Sequence, residues 1–357
     1  MVIIIIKFSV PADFKENTLK KLKYINSLSE NKKIVEVYGQ ITTGNILASG
    51  RNPQVLPQVD LNELKAYIKQ CDKYGFEFNY TLNASCMGNK EFSADMRQFI
   101  LTLDRIGVSS YTLSIPYLFD LVAEVLSENK IKASAICEIN SVMKAKHYKE
   151  LPITRIVVDP DITRRFDILR GICNEFGENV EIIVNNACIQ NCPYKMFHYN
   201  HEAHGGLEHS NEINNQYYYH KCSLQKAQTD YNFIKINWIR PEDLHYYVET
   251  GITRFKIHGR NYINSDNLLK VTEAYFSEKF DGNLMDLLTL FQPYNAFQPY
   301  IDNKKLDGFI KRFYDYPHAC NEICEACGHC LSYAKKSMDM EAVHTVNDYA
   351  KQLYKKI

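Results

Sequence analysis

The chain has 357 residues, 45% of them apolar, with 42 basic and 42 acidic side chains and a formal net charge of zero. That length suits one large barrel or two modest domains with a sizeable core. The charge balance argues against bulk electrostatic capture of nucleic acid or an anionic membrane, although a local basic patch is compatible with it.

The first stretch, Met1-Val-Ile-Ile-Ile-Ile-Lys-Phe8, is too short for a membrane span or a signal segment and has no basic region before it, so it reads as a buried strand. Further apolar, β-branched runs predict strands at 33–38, 76–82, 109–114, 132–136, 154–158, 180–184, 233–237 and 254–257. Between them, amphipathic periodicity predicts helices at 18–28, 61–74, 94–106, 117–126, 142–148, 162–175 and 241–249. Alternation of nearly all-apolar strands with helices marks a parallel sheet covered on both faces. The strand count and length predict an α/β fold, a TIM-like (β/α)8 barrel over 1–260. A doubly wound open sheet is the alternative, but no glycine-rich phosphate loop follows the first strand.

Two segments break the rhythm. Residues 40–59 form a long connection carrying Gly44, Gly50, Arg51, Pro53 and Pro57, and 186–232 is a Cys/His/Tyr-rich insertion; connections of this length are usually functional. Beyond 260 the pattern is helical, so 261–357 is expected to be a helical, cysteine-rich C-terminal extension. Asn83, Asn140, Asp159, Asn185, Asn186, His258 and Arg260 fall just past strand ends, which in a barrel is the working face; singly, each also suits a turn or a helix cap.

Seven of the 11 cysteines fall into two groups. Cys188-x3-Cys192, with Cys222 further on, would leave the seventh strand at the barrel mouth beside Asn185 and Asn186, both candidate cofactor contacts. Three thiolates can hold a four-iron cluster with one iron open; a structural zinc site or unrelated buried cysteines are the plainer readings. His198, His201, His204, His209 and His220 crowd the same insertion. They read as a solvated loop more readily than as zinc ligands, with His198 a candidate proton carrier. Cys320-x3-Cys324-x2-Cys327-x2-Cys330 packs four thiols too tightly for several disulfides and predicts one metal centre, a [4Fe-4S] cluster or alternatively zinc. Its first three cysteines have the spacing of radical S-adenosylmethionine enzymes, but they lie past the last strand and Ala326 replaces the usual aromatic. One cluster, or two, is expected. In the reduced thiol pool of the cytoplasm, the expected location, such groups bind metal more often than they form disulfides.

Asn186-Ala-Cys188-x3-Cys192-Pro-Tyr-Lys195-x2-His198, then Trp238-Ile-Arg-Pro-Glu-Asp-Leu244 and Gly251-Ile-Thr-Arg-Phe-Lys-Ile-His-Gly-Arg260, together resemble the peptidase U32 superfamily. The resemblance covers most of 1–260 and marks a divergent member, with cluster cysteines spaced more closely than in better-known relatives. It implies a TIM-like barrel with a [4Fe-4S] cluster. Some relatives carry out oxygen-independent hydroxylation of RNA bases or of a quinone precursor; others bear a protease label.

The expected function is therefore an iron–sulfur enzyme performing redox or hydroxylation-type chemistry on an RNA base, a peptide or a small molecule. Lys195, Arg240, Lys256 and Arg260 are candidates for holding a small anionic substrate, because guanidinium and ammonium groups match carboxylate and phosphate. A radical S-adenosylmethionine-like enzyme, a U32-type peptidase and a non-catalytic iron–sulfur or zinc partner protein are the alternatives. RNA is admissible but not indicated by charge, no membrane partner is expected, and a protein partner could use the 200–220 insertion.

Overall fold

The structure, a computed structural model, describes residues 4–47, 49–88, 95–126, 131–204, 216–288, 299–320 and 322–354. Among them ten strands occur: β1 (Ile6–Pro11), β2 (Lys32–Gly39), β3 (Glu77–Leu82), β4 (Ser110–Leu113), β5 (Ile131–Ala133), β6 (Arg155–Val157), β7 (Val180–Ile183), β8 (Asn185–Ile189), β9 (Ile236–Trp238) and β10 (Arg254–Lys256). Eight close a parallel barrel in the order β1-β10-β7-β6-β5-β4-β3-β2. This is the TIM-like fold that the alternation predicts.

The helices form for local reasons that the sequence spells out. In Leu61–Tyr74, Asp60 accepts from the N–H groups of Asn62 and Glu63 while the Glu63 carboxylate accepts from the Asp60 N–H, a reciprocal cap. Leu64, Tyr67, Ile68 and Cys71 recur at helical spacing and are buried. The helix stops at Gly75, whose φ of 80° most side chains would resist. Strand residues such as Phe78, Ile182 and Phe255 fill the core beneath the helices, each worth about 1.5–3 kcal/mol of transfer free energy.

Two expectations about strands need correction. The run at 233–237 is not a barrel strand: β10 pairs directly with β7 (Arg254↔Glu181, Phe255↔Ile182, Lys256↔Ile183), leaving no slot between them. Instead β9 pairs antiparallel with β8, with Asn185 opposite Trp238 and Ile189 opposite Ile236. The first strand, expected within Met1–Phe8, runs on to Pro11: its ladder with β2 goes from Ile6↔Lys32 to Pro11↔Tyr38, Ile4 and Ile5 are exposed, and 1–3 lie outside the described residues.

Helix Ser265–Ser277 packs against helix Glu16–Ser27, so the outer ring of helices continues past residue 260. The tail then folds back on itself through Leu284 N–H to Ile301 C=O and Asp302 N–H to Ser337 C=O, at 2.8 and 2.9 Å. Its last helix, Met340–Tyr354, packs on helix Gln216–Lys226 of the insertion. Among the described residues no helix is long and apolar enough to cross a membrane.

Candidate active site and cysteine centres

At the C-terminal ends of the strands a cavity encloses roughly 570 Å³, counting its open side. Alternate residues leaving β10 (Lys256, His258 and Arg260) line it, with Tyr38, Asn83, Asn186 and Tyr199 around them. The 40–59 connection closes over it and adds Arg51. Gly50 allows that approach: a Cβ there would lie 2.5 Å from Ile136 Cδ1 and 3.1 Å from the Asn83 carbonyl. The Gly50 N–H donates to Asn83 Oδ1 at 3.2 Å. Among the described residues, three basic side chains and no carboxylate line this cavity.

The three cations differ in what holds them. Arg260 donates to Thr81 Oγ1 at 2.6 Å and Gln40 Oε1 at 2.9 Å, and burial brings its guanidinium down to about 10. Lys256 lies 3.8 Å over the Tyr38 ring. Burial first, then the Lys132 charge, bring its ammonium down to about 8. Arg51 Nη2 meets His258 Nε2 at 2.5 Å. The guanidinium can only donate, so Nε2 accepts and the ring is neutral. Burial, reinforced by Arg51, accordingly holds the imidazole well below its usual range.

Asn186 and Asn185 have separate jobs. Asn186 lines the cavity, and its Oδ1 accepts from the Cys188 N–H at 2.7 Å. Asn185 exchanges bonds with the backbone of His258 (2.7 and 2.9 Å) and donates to the Leu287 carbonyl, lacing the ends of β7 and β10 together.

Cys188, Cys192 and Cys222 line a second cavity of roughly 560 Å³, with Lys195, His198, Tyr199, Tyr218 and Tyr219 in its wall. Tyr199 is common to this cavity and the mouth. Enclosure pushes the Cys188 thiol up to about 12. His198 lies 3.4 Å from Glu202 Oε1 and stacks on Tyr218. Glu202, buried and held down at about 2 (burial opposes, His198 prevails), accepts from the Asn52 N–H at 2.9 Å. It thereby ties the insertion helix Lys195–His204 to the loop over the mouth. His201 also rests on Tyr218, and His204 meets Cys86 Sγ at 3.1 Å. His209 lies outside the described residues.

Lys195 and Arg240 are not brought to the mouth cavity. Lys195 meets Asp159 at 2.8 Å, Asp161 at 2.7 Å and Glu138 at 3.5 Å, so three carboxylates of the chain already surround its ammonium. Arg240, almost fully buried, grips Asp307 at 2.5 Å and Asn303 at 3.2 Å, anchoring the tail to the barrel.

Cys320, Cys324, Cys327 and Cys330 line a third cavity of roughly 380 Å³ in the tail, walled by Phe313, Ile323 and Leu331 and closed at one side by Tyr231. Among the described residues no two cysteines are joined in a disulfide. Among the described residues, no three His, Cys, Asp or Glu side chains stand close enough to share a single metal ion.

The chain matches Peptidase family U32 over residues 49–315, from the loop over the mouth to just short of Cys320. It is also 32% identical over 342 residues to an uncharacterized protease of Methanocaldococcus jannaschii, covering 93% of this chain and 98% of that one. This chain belongs to peptidase family U32. Among solved structures the U32 protein is similar to a U32 peptidase at 13% identity, covering 73% of this chain and 96% of that one, with a TM-score of 0.49. It is also similar to a mutant tryptophan synthase α-subunit of Pyrococcus furiosus at 10% identity, covering 76% and 97%, with a TM-score of 0.40.

Sequence reasoning passed over several residues that this U32 protein brings to its sites. Tyr38 and Tyr199 carry no signal of their own, since a tyrosine in a strand or amphipathic helix reads as apolar filling. Glu202 could have been found from its i,i+4 spacing to His198.

Proposed function

We propose that this U32 protein is an iron–sulfur enzyme, with a cluster at Cys188, Cys192 and Cys222 beside an anion-binding barrel mouth. The observation that carries the reading is the shared wall: Tyr199 borders both the three-cysteine cavity and the cation-lined mouth. A four-iron cluster takes one thiolate per iron, so its thiols need not converge as the ligands of a single ion must. The triad suits a cluster with one iron open to a further ligand, and the tail quartet suits a complete set of four thiolate ligands. When bound, such a group supplies one-electron chemistry and a Lewis-acidic iron. The chain's own part is to bind and orient an anion through Arg51, Lys256 and Arg260 and to keep His258 as a neutral, acceptor-side imidazole. Oxygen-independent hydroxylation of an RNA base, a peptide or a small molecule is the reaction class proposed by kinship with the family.

The protease named for the family and for the Methanocaldococcus relative is the second reading. It has less support, because a nucleophilic cysteine must be readily ionised, and enclosure drives the Cys188 thiol the opposite way. Iron and acid-labile sulfide are expected in stoichiometric amounts in anaerobically purified protein. Stoichiometric zinc without iron would overturn the cluster reading, and metal-independent cleavage of casein would restore the protease.

The mouth makes its own prediction. Lys256 is charged below about pH 8 and neutral above it. Sulfate, whose charge is constant there, should therefore bind about tenfold more weakly at pH 9 than at pH 7, the loss of one charge-assisted bond. Calorimetry checks this; in Lys256→Met the pH dependence should vanish.

A further inference from the structure

We infer that Arg164 and Lys226 are built-in counter-charges, one behind each cysteine group, that set how much negative charge each centre can hold. The inference rests on the proposed reading that the cysteine groups bind metal.

Arg164 is 3% exposed and Lys226 is 2% exposed. Burying a cation without an anionic partner is costly, so each would be expected to have a carboxylate. Among the described residues neither has one within ion-pairing distance. Arg164 donates through Nη2 to the carbonyls of Ile234 and Ile236 at 2.6 and 3.0 Å, and its Nε has no partner among the described residues. Its guanidinium carbon lies 4.9 Å from the Phe309 ring, 5.4 Å from Trp238 and 5.9 Å from Phe313. Phe313 is also a wall of the quartet cavity. Burial lowers the Arg164 guanidinium, and ionised Cys330, Cys320 and Cys324 would counter that.

Lys226 repeats the arrangement at the other group. It ends helix Gln216–Lys226, which also carries Cys222, and its Nζ is buried with no hydrogen-bond partner among the described residues. Burial raises the Cys188 thiol, and the Lys226 ammonium counters it. Ala227 and Ala350 pack together next to it, so the terminal helix of the tail helps keep water away. Four thiolates around iron or zinc make a net anionic centre. A fixed buried cation beside such a centre favours its more negative state and strengthens its hold on metal.

The test uses the full chain, purified anaerobically, with Arg164→Gln, Arg164→Lys, Lys226→Met and Cys327→Ala variants, and thermal midpoints as the control for folding. In a redox titration followed by electron paramagnetic resonance, Arg164→Gln should lower the midpoint potential of the signal that Cys327→Ala abolishes. Lys226→Met should lower that of the other signal, and Arg164→Lys should stay near the parent. Competition with a chelator should show metal held about tenfold less tightly in Arg164→Gln. Folded variants with intact centres and unchanged potentials and affinities would overturn the inference. If the parent holds zinc and no iron, the cluster reading fails by itself. The chelator competition then decides this inference, upheld by a loss in Arg164→Gln and overturned by parity. A parent that takes up neither metal overturns both.

Discussion

Lys132→Met should lose about 3–5 kcal/mol of stability in urea unfolding, the usual consequence of removing one partner from a buried charge cluster. Lys132 lies inside the barrel between Glu36 and Glu181, its Nζ 2.5 and 2.7 Å from their carboxylates, and all three side chains are at most 1% exposed. Burial alone would raise both carboxyls. The Lys132 ammonium outweighs it and holds both below their ordinary range. Arg155 reaches Glu36 at 3.0 Å but is itself partly exposed. With Lys132 gone, two buried carboxylates would face each other with reduced compensation. Adding Glu36→Gln and Glu181→Gln to Lys132→Met should recover part of the loss, because the three groups act as one unit. A single variant as stable as the parent would show that the cluster contributes nothing.

The second large effect is on metal content. Cys188→Ala should abolish the centre at the mouth and leave the quartet's iron, while Cys327→Ala should do the reverse. Iron analysis and paramagnetic resonance of the two proteins would therefore give complementary losses. The separation follows from geometry: the two groups line different cavities, one beside Tyr199 and one walled by Phe313. Loss of all iron from either variant alone would mean that the seven thiols serve one centre. Loss from neither would remove the metal reading altogether.

The barrel was legible because seven of its parallel strands are short apolar runs separated by amphipathic helices, with the eighth at 254–257. The run at 233–237 misled because an apolar strand looks the same whether it lies in the barrel wall or in an antiparallel ribbon above it. Only the direct ladder between β7 and β10 distinguishes them. The quartet and the Cys188–Cys192 pair were legible because their spacing is local, whereas Cys222 joins that pair only through the folded insertion. Arg260 could be found as a polar group past a strand end and Lys256 as a cation in the last strand, but Lys195 and Arg240, cations of the same candidate set, are engaged by Asp159, Asp161 and Asp307. Which cation is left for a ligand depends on carboxylates far away in sequence. Arg164 is invisible for the same reason, since Phe309, Phe313 and the quartet reach it only through the folded tail.

The alternation on the strand that closes the barrel has a consequence for how this mouth can change. Lys256, His258 and Arg260 all line the mouth, and Phe255 and Ile257, which alternate with them, are fully buried. A slip of one position in that segment would exchange a triplet of nitrogen bases for two hydrocarbon side chains and a glycine. The ladder fixing Phe255 opposite Ile182 is thus also a reading frame for ligand recognition. Single substitutions can retune the mouth one rung at a time, but an insertion or deletion just before Lys256 would displace Lys256, His258 and Arg260 together and leave Arg51 as its remaining cation.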